Sequence, residues 1–166
     1  MQTKTAEKSP FTIPFPNISP INTAEEATKQ GHYDDYYRFI SNETVKIEPA
    51  KVPKNLHLVC FNRAIGETEY VELLRTEGKR PCQNAPQYLL GLMAAVPEDK
   101  MPKELRNKYL VAAEPDNRSS AFTVECGCRC FLFVYRYGGD RKLCLAYVVS
   151  RRWNDRWAFL AEDLVP

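Results

Sequence analysis

Basic and aromatic side chains are interleaved between residues 126 and 161. This stretch contains seven basic and two acidic residues, which gives it a local net charge of +5. Guanidinium groups bind phosphate and aromatic rings stack on bases, so this composition is typical of a surface for single-stranded nucleic acid. The same residues also fit arginines at strand ends that cover tryptophans as solvated cation–π pairs, and this second interpretation is favoured. The residues that could form the binding surface are Arg129, Phe131, Phe133, Tyr135, Arg151, Arg152, Trp153, Arg156 and Trp157.

The segment from Arg129 to Tyr135 resembles the octamer of the RNA-recognition motif, in which a basic residue and alternating aromatic residues share one face of a sheet. The basic start, both aromatic positions and the valine match. The two glycines of that motif are replaced by Cys130 and Leu132, and its last aromatic residue is replaced by Arg136. The resemblance implies RNA bases stacked on the sheet face.

Metal binding and catalysis have little support in the sequence. Cys126, Cys128 and Cys130 form C-x-C-x-C, which lacks the CxxC pairs of structural zinc sites. Nothing places His32 or His57 beside a nucleophile, and there is no P-loop, H-E-x-x-H or G-x-S-x-G segment. The sequence therefore predicts no catalytic residue, no metal ligand and no cofactor, and the cysteines are expected to be small buried thiols.

A helix-turn-helix is a further possibility, since two helices are predicted over 67–77 and 84–96. The second helix would have to enter the major groove of DNA. After its N-cap it carries no basic or amide side chain except Gln87, and such groups are needed to distinguish bases. This interpretation is disfavoured.

The overall composition limits the possible classes of protein. The chain has 166 residues, 44% of them hydrophobic and 27% charged, with a net charge of +2, which excludes a fibrous or wholly disordered protein. Its N-terminus lacks the pattern of a secretory signal, and its longest uncharged apolar run, 88–97, is about half of what a membrane span needs. We therefore expect a cytoplasmic protein with reduced thiols.

Prolines divide the first fifty residues from the rest. Those at 10, 14, 16 and 20 predict an extended arm over 1–22, either a strap across the domain or a tail that docks on a partner. Thr23 and Glu26 have capping-box spacing, which predicts that a helix begins there, and residues 23–50 are assigned to a helical segment and linker. Past Gly31 its helical stripe would carry Tyr33, Tyr36, Tyr37 and Ile40.

Residues 51–166 are predicted to form a single α+β domain, with 51–57 as the linker into it. A short strand begins at Leu56, and the two helices follow, the second nearly all apolar and therefore buried. After residue 108 the spacing of apolar residues changes from the helical period of 3.6 to the strand period of 2. This change predicts a five-stranded antiparallel meander, as a twisted sheet or a partly closed small barrel. Its strands are expected at roughly 109–114, 119–124, 128–137, 142–152 and 156–161.

Turn positions assign side chains to the two faces of this sheet. A turn at Gly138-Gly139 places Phe131, Phe133 and Tyr135 on the first face, opposite small partners such as Cys144. A turn at Asn154-Asp155, pairing Trp153 with Arg156, adds Trp157 to that face. The second face is aliphatic. Because neither face is polar, each needs a cover, or one of them is a binding surface.

Five segments lie between about 79 and 162: RPCQNAPQYLLGLM, LVAAEPDN, RCFLFVYR, GGDRKLCLAYV and WAFLAEDL. They contain an R-P start to an apolar helix, an RKL-type strand and a W-x-F-L-A-like ending. Together they resemble a large class of short bacterial proteins that have no assigned function. The resemblance implies a compact bacterial domain and carries no activity.

The first functional hypothesis is a small non-enzymatic module that binds another protein through its aromatic sheet face or its Phe/Pro-rich arm. The alternative is binding of single-stranded RNA or DNA through the basic and aromatic residues named above. Neither hypothesis involves a membrane.

Overall fold

A computed structural model describes residues 10–36, 49–66, 68–113, 130–147 and 152–165. Within them the fold is α+β, with three α-helices and two single 3₁₀ turns around one mixed sheet that does not close into a barrel. The helices are α1 (Ala24–Gln30), α2 (Glu69–Thr76) and α3 (Ala85–Ala95), and the 3₁₀ turns are Glu98–Lys100 and Lys103–Leu105. The strands are β1 (Phe11–Ile18), β2 (Asp35–Tyr36), β3 (Lys54–Cys60), β4 (Lys79–Pro81), β5 (Tyr109–Ala112), β6 (Cys130–Tyr137), β7 (Asp140–Tyr147) and β8 (Trp157–Asp163).

The order of the strands corrects the predicted antiparallel meander. Seven strands follow the order β1-β3-β8-β5-β6-β7-β2. Strand β4 pairs with the last residues of β8, after the part of β8 that pairs with β5. Strand β8 does not return beside β7; it lies between β3 and β5 and is parallel to β5. Strand β2 also pairs in parallel, with β7. The meander fails because side-chain alternation predicts a strand but not the neighbour it selects.

The hairpin between β6 and β7 confirms the predicted turn and the facing of its side chains. Tyr137 pairs with Asp140, and Gly138 and Gly139 have φ of 60° and 90°, values that a two-residue type I′ turn requires. Phe133 consequently pairs with Cys144. The predicted strand over 142–152 ends at Tyr147 in the described part, and the predicted strand 119–124 lies outside the described residues.

The predicted hairpin between Trp153 and Arg156 is wrong, although a turn exists there. The backbone N–H of Arg156 donates to Oδ1 of Asn154 at 2.9 Å. Trp153, however, bridges to Ile65 instead of pairing with β8. Trp157 nevertheless lies on the predicted first face. The odd-numbered residues of β8 point to the same side of the sheet as the odd-numbered residues of β6.

Two hydrophobic clusters lie on opposite faces of the sheet. On the second face, Leu132, Val134 and Leu143 pack with α1, α3 and β1 in the larger cluster. On the first face, Trp153, Trp157 and Phe159 pack with α2 through Tyr70 and Leu74. Helix α3 is apolar on all sides and nearly fully buried, as its sequence predicts.

The proline-rich stretch of the predicted arm forms the edge strand β1. It pairs antiparallel with β3, and Phe15 and Ile18 are buried. Pro14 and Pro16 fit an edge position because they have no N–H to donate to a further strand. The apolar side chains of this stretch therefore form part of the core.

The helical segment predicted over 23–50 is confirmed only at its start. The Thr23 side chain accepts a hydrogen bond from the Glu26 N–H at 3.2 Å and caps α1. The predicted helical stripe beyond Gly31 is wrong where it is described, because Asp35 and Tyr36 form β2. Tyr37 and Ile40 lie outside the described residues. The predicted linker over 51–57 is also wrong, since β3 already begins at Lys54.

Gly91 allows residues 19 and 20 to cross α3 closely. A Cβ at Gly91 would collide with the carbonyl oxygen of Ser19 and lie 2.9 Å from its carbonyl carbon. We expect Gly91→Ala to lower the free energy of unfolding by about 2 to 4 kcal/mol despite the better helix propensity of alanine. Urea denaturation measures the change. Gly66→Ala is the matched control, because a Cβ there meets only the Glu69 side chain at 3.6 Å. Equal stability of the two variants would contradict this close crossing.

Candidate functional site

A cleft of about 1060 Å³ opens where the β6–β7 hairpin approaches the start of β5. Four separate segments line it, so no single stretch of sequence reveals it. Its lining residues are Glu98, Asp99, Arg106, Asn107, Lys108, Tyr109, Arg136, Gly138, Gly139 and Arg156. Four of these side chains are basic and two are acidic, which favours an anionic ligand.

Three of the basic residues on the cleft have no ion pair within the described residues. They are Arg106, Lys108 and Arg156. The Lys108 ammonium donates to the carbonyl oxygen of Asp155 at 2.6 Å, which keeps it beside Arg156. Arg106 and Arg156 are exposed. Backbone carbonyls hold Lys108 and also Arg106, whose Nε donates to the Met101 oxygen at 3.4 Å, and within the described part of the chain all three cations can bind an anion without first breaking a salt bridge.

Aromatic rings continue from the cleft along the first face of the sheet. Tyr109, in the lining, makes edge-to-face contacts with Phe133 and Tyr135 at centroid distances of 6.3 and 5.9 Å. Tyr137 immediately precedes the two lining glycines and is 74% exposed, and the Lys142 ammonium lies 5.7 Å from its ring centroid. Basic and aromatic groups therefore meet at this end of the sheet.

Behind the cleft lies a buried arginine that the sequence patterns do not predict. Arg141 is fully buried, and its guanidinium donates to the carbonyls of Gly31, Met93 and Val96 at 2.7 to 3.0 Å. These carbonyls terminate α1 and α3, where a positive charge is favourable. Burial lowers the pKa of Arg141, and nearby Tyr33 partly opposes that shift.

Glu98 connects this buried arginine to the cleft. Its Oε2 accepts from Nε of Arg141 at 3.1 Å, and its Oε1 forms an ion pair with Nε of Arg136. Arg136 and Arg141 are directly paired across the β6–β7 hairpin, an arrangement that would be repulsive without a carboxylate between them. Burial lowers the pKa of Arg136 to about 10, and the charge of Arg141 acts in the same direction.

Of the nine residues predicted as a binding surface, the seven that the structure describes do not form one exposed surface. Trp153 and Trp157 are buried, with 1% and 7% exposure, and contact each other at a centroid distance of 5.0 Å. Three further aromatic residues are half-buried beside them. Those three are Phe131, Phe133 and Tyr135.

The predicted arginines are divided between different places. Arg156 lines the cleft, whereas Arg152 is exposed and close enough to Glu69 to help lower the pKa of that carboxyl, after the larger effects of the Gly66 N–H and of Arg63. Arg129 and Arg151 lie outside the described residues. Sequence patterns missed Arg106, Lys108 and Arg136 as candidate site residues, because only the fold brings them beside Arg156.

A second group of charged side chains lies where β3, β4 and β8 meet. Glu162 is buried and forms ion pairs at 2.7 Å with Lys54 and Arg80. Asp163 pairs with Lys79 and His57, and the hydrogen bond from Lys79 is the main cause that lowers the pKa of Asp163. Each carboxylate has two basic partners, so this group stabilises the junction of three strands.

The cysteines show no catalytic arrangement in the described part of the chain. Burial raises the pKa of Cys60 to about 12 and also raises that of Cys144, so both thiols are protonated at neutral pH. Cys82 is buried, and Cys126 and Cys128 lie outside the described residues. The described residues contain no group of three or more possible metal-ligating side chains.

Comparison with protein-family models, curated proteins and solved structures gives no match. The resemblance to short bacterial proteins therefore stays a prediction. Among the described helices, none has the length and apolar character needed to cross a membrane.

Proposed function

We propose that this chain is a non-enzymatic binding protein for single-stranded nucleic acid, which lies along the basic cleft. The observation that carries the proposal is the meeting of Arg106, Lys108 and Arg156 with the ring of Tyr109 in one cleft. Such a combination binds the sugar-phosphate backbone through the cations and the bases through the ring.

Exposed aromatic surface at the cleft favours a nucleic acid over a simple anion. Tyr137 is the one aromatic residue among the exposed large hydrophobic side chains of the described chain. It stands next to the glycine turn that lines the cleft. A base stacked on an aromatic ring contributes about 1 to 3 kcal/mol and requires no particular sequence, so the proposal is for broad recognition of single strands.

A protein partner is the second candidate, and the half-buried rings of Phe131, Phe133 and Tyr135 favour it. The described helices pack over other parts of the sheet: α2 lies against Phe159 and Trp153 on this face, and α3 lies on the opposite face. A partner's apolar side chains could cover these rings. The predicted arm is a weaker docking element, because Phe15 and Ile18 are already buried.

Replacing the three cleft cations that have no ion pair among the described residues tests the first candidate. We expect the triple variant Arg106→Gln, Lys108→Gln and Arg156→Gln to bind labelled oligo(dT) or oligo(U) about 100-fold more weakly at 50 mM salt, because each cation contacts a phosphate. The wild-type affinity should itself fall about 20-fold between 50 and 200 mM salt if three phosphates of a single strand are contacted. Fluorescence anisotropy measures both effects.

The matched control removes the same charge from exposed positions elsewhere, with Lys29→Gln, Lys51→Gln and Arg75→Gln. It should retain nearly wild-type affinity. Equal losses in both triple variants would mean that net charge, and not the cleft, determines binding. If the wild type binds a poly-glutamate peptide but neither oligonucleotide, the partner is an acidic protein segment and the nucleic-acid proposal is wrong.

A further inference from the structure

We infer that Arg136 forms a phosphate subsite at the inner wall of the cleft, and that the carboxylate of Glu98 holds the place of the ligand phosphate. The inference rests on the proposed function in taking the cleft as the ligand site. It adds a particular anchoring residue and an internal competitor for it.

The guanidinium of Arg136 is held by the backbone before any ligand arrives. Its Nη1 donates to the carbonyls of Leu105 and Arg106 at 3.3 and 3.0 Å, and its side chain is only 10% exposed. Its Nε is buried and forms an ion pair with the Glu98 carboxylate, but it has no hydrogen-bond partner among the described residues. An arginine fixed in this way loses little side-chain entropy when it binds an oxyanion.

A carboxylate already occupies the position that an oxyanion would take. Phosphate and carboxylate both accept paired hydrogen bonds from a guanidinium, and phosphate brings more oxygen atoms and more negative charge. Oε1 of Glu98 is therefore a stand-in for a phosphate oxygen at Nε of Arg136.

Glu98 can leave this position at the cost of one hydrogen bond, the one that its Oε2 accepts from Nε of Arg141. It belongs to a single 3₁₀ turn and its side chain is 35% exposed, so it can rotate into solvent. Arg141 would keep its three carbonyl acceptors, which are those of Gly31, Met93 and Val96. A ligand phosphate thus competes with Glu98 for Arg136, and this competition, together with the hydrogen bond lost at Nε of Arg141, lowers the apparent affinity of the cleft.

Removing the competitor should tighten binding. We expect Glu98→Gln to bind inorganic pyrophosphate about tenfold more tightly than the wild type, since an amide competes poorly for a guanidinium. The matched control is Asp99→Asn, which removes one negative charge from an exposed neighbour that also lines the cleft. It should tighten binding by about twofold or less, the effect of general electrostatics at moderate salt. Isothermal titration calorimetry measures the affinities.

A double-mutant cycle locates the effect at Arg136. In an Arg136→Gln background, Glu98→Gln should change pyrophosphate affinity by less than about twofold, because the contested guanidinium is gone. If Arg136→Gln does not fold, the Nε–H resonance of Arg136 in the wild type provides the second measurement. Added pyrophosphate should shift that resonance, and an unchanged resonance at saturation would overturn the subsite.

The outcomes separate this inference from the proposed function. Suppose that the wild type binds oligo(dT) in the cleft and that Glu98→Gln raises pyrophosphate affinity no more than Asp99→Asn does. The proposed subsite is then wrong, while the nucleic-acid function stands. If Glu98→Gln gains pyrophosphate affinity through Arg136 but no form of the protein binds oligonucleotides, the subsite stands and the nucleic-acid function fails.

Discussion

Arg141→Lys is expected to lower the free energy of unfolding by about 3 to 5 kcal/mol, although it keeps the positive charge. The guanidinium of Arg141 donates to three helix-terminal carbonyls and to Glu98, and it is fully buried. A lysine ammonium is a single point with three donors and cannot reach acceptors spread over two helix ends. The carbonyls it misses would be buried without a hydrogen bond.

Urea denaturation at pH 7 measures this loss, with Arg75→Lys as the control. Arg75 is exposed on α2 and pairs with Glu72 at 3.0 Å, so its replacement should change stability by less than about 0.5 kcal/mol. Hydrogen exchange should become faster at the amides of Gly31 and Val96, which lie at the two helix ends held by Arg141. A stability within about 1 kcal/mol of the wild type would show that these carbonyls do not depend on the guanidinium.

Trp153→Ala is expected to lower the free energy of unfolding by about 3 to 5 kcal/mol, because it opens a cavity in the cluster on the first face. The indole is 1% exposed and contacts four rings at centroid distances of 5.0 to 6.2 Å. Those rings belong to Tyr70, Phe131, Trp157 and Phe159. Trp153→Phe should lose less, since it retains an aromatic ring.

The neighbouring Arg152→Gln provides the contrast. Arg152 is exposed, so this change should alter stability by less than about 0.5 kcal/mol. At a temperature where Trp153→Phe is fully folded, its affinity for oligo(dT) should equal that of the wild type. A stable Trp153→Ala variant that has lost nucleic-acid binding would restore Trp153 as part of the binding surface and contradict its role in the core.

Local rules predict the individual elements well and their arrangement poorly. Thr23 and the Gly138-Gly139 turn act through neighbouring backbone, so their effects are visible in a short stretch of sequence. Alternation along β6 places Phe133 on one face and Leu132 on the other whatever strand lies beside them. The position of β8 instead depends on contacts with β3 and β5, and no turn beside Trp153 encodes them.

The candidate site shows the same division. Arg156 lies between two tryptophans, and this pattern identifies it as a candidate binding residue. The sequence around Arg106 and Lys108 instead predicts the solvated end of a helical turn. Their meeting depends on the parallel pairing of β5 with β8, which places the start of β5 beside Arg156. Arg141 follows a glycine turn, where a basic residue normally indicates solvent, and its burial depends on two distant helix ends.

The insertion of β8 between β3 and β5 has a consequence for biosynthesis. The ribosome synthesises β3 and β5 long before β8. When β3 and β5 leave the ribosome, the strand that lies between them in the folded sheet is therefore still missing. Until β8 is synthesised, β3 and β5 each have one edge without a hydrogen-bonded neighbour. Side chains of these strands that are buried in the folded protein, such as Val59 and Val111, lie beside those edges. The nascent chain therefore passes through a stage in which these edges need protection from other chains, and β3 and β5 are joined only after all residues from β3 to β8 have been synthesised.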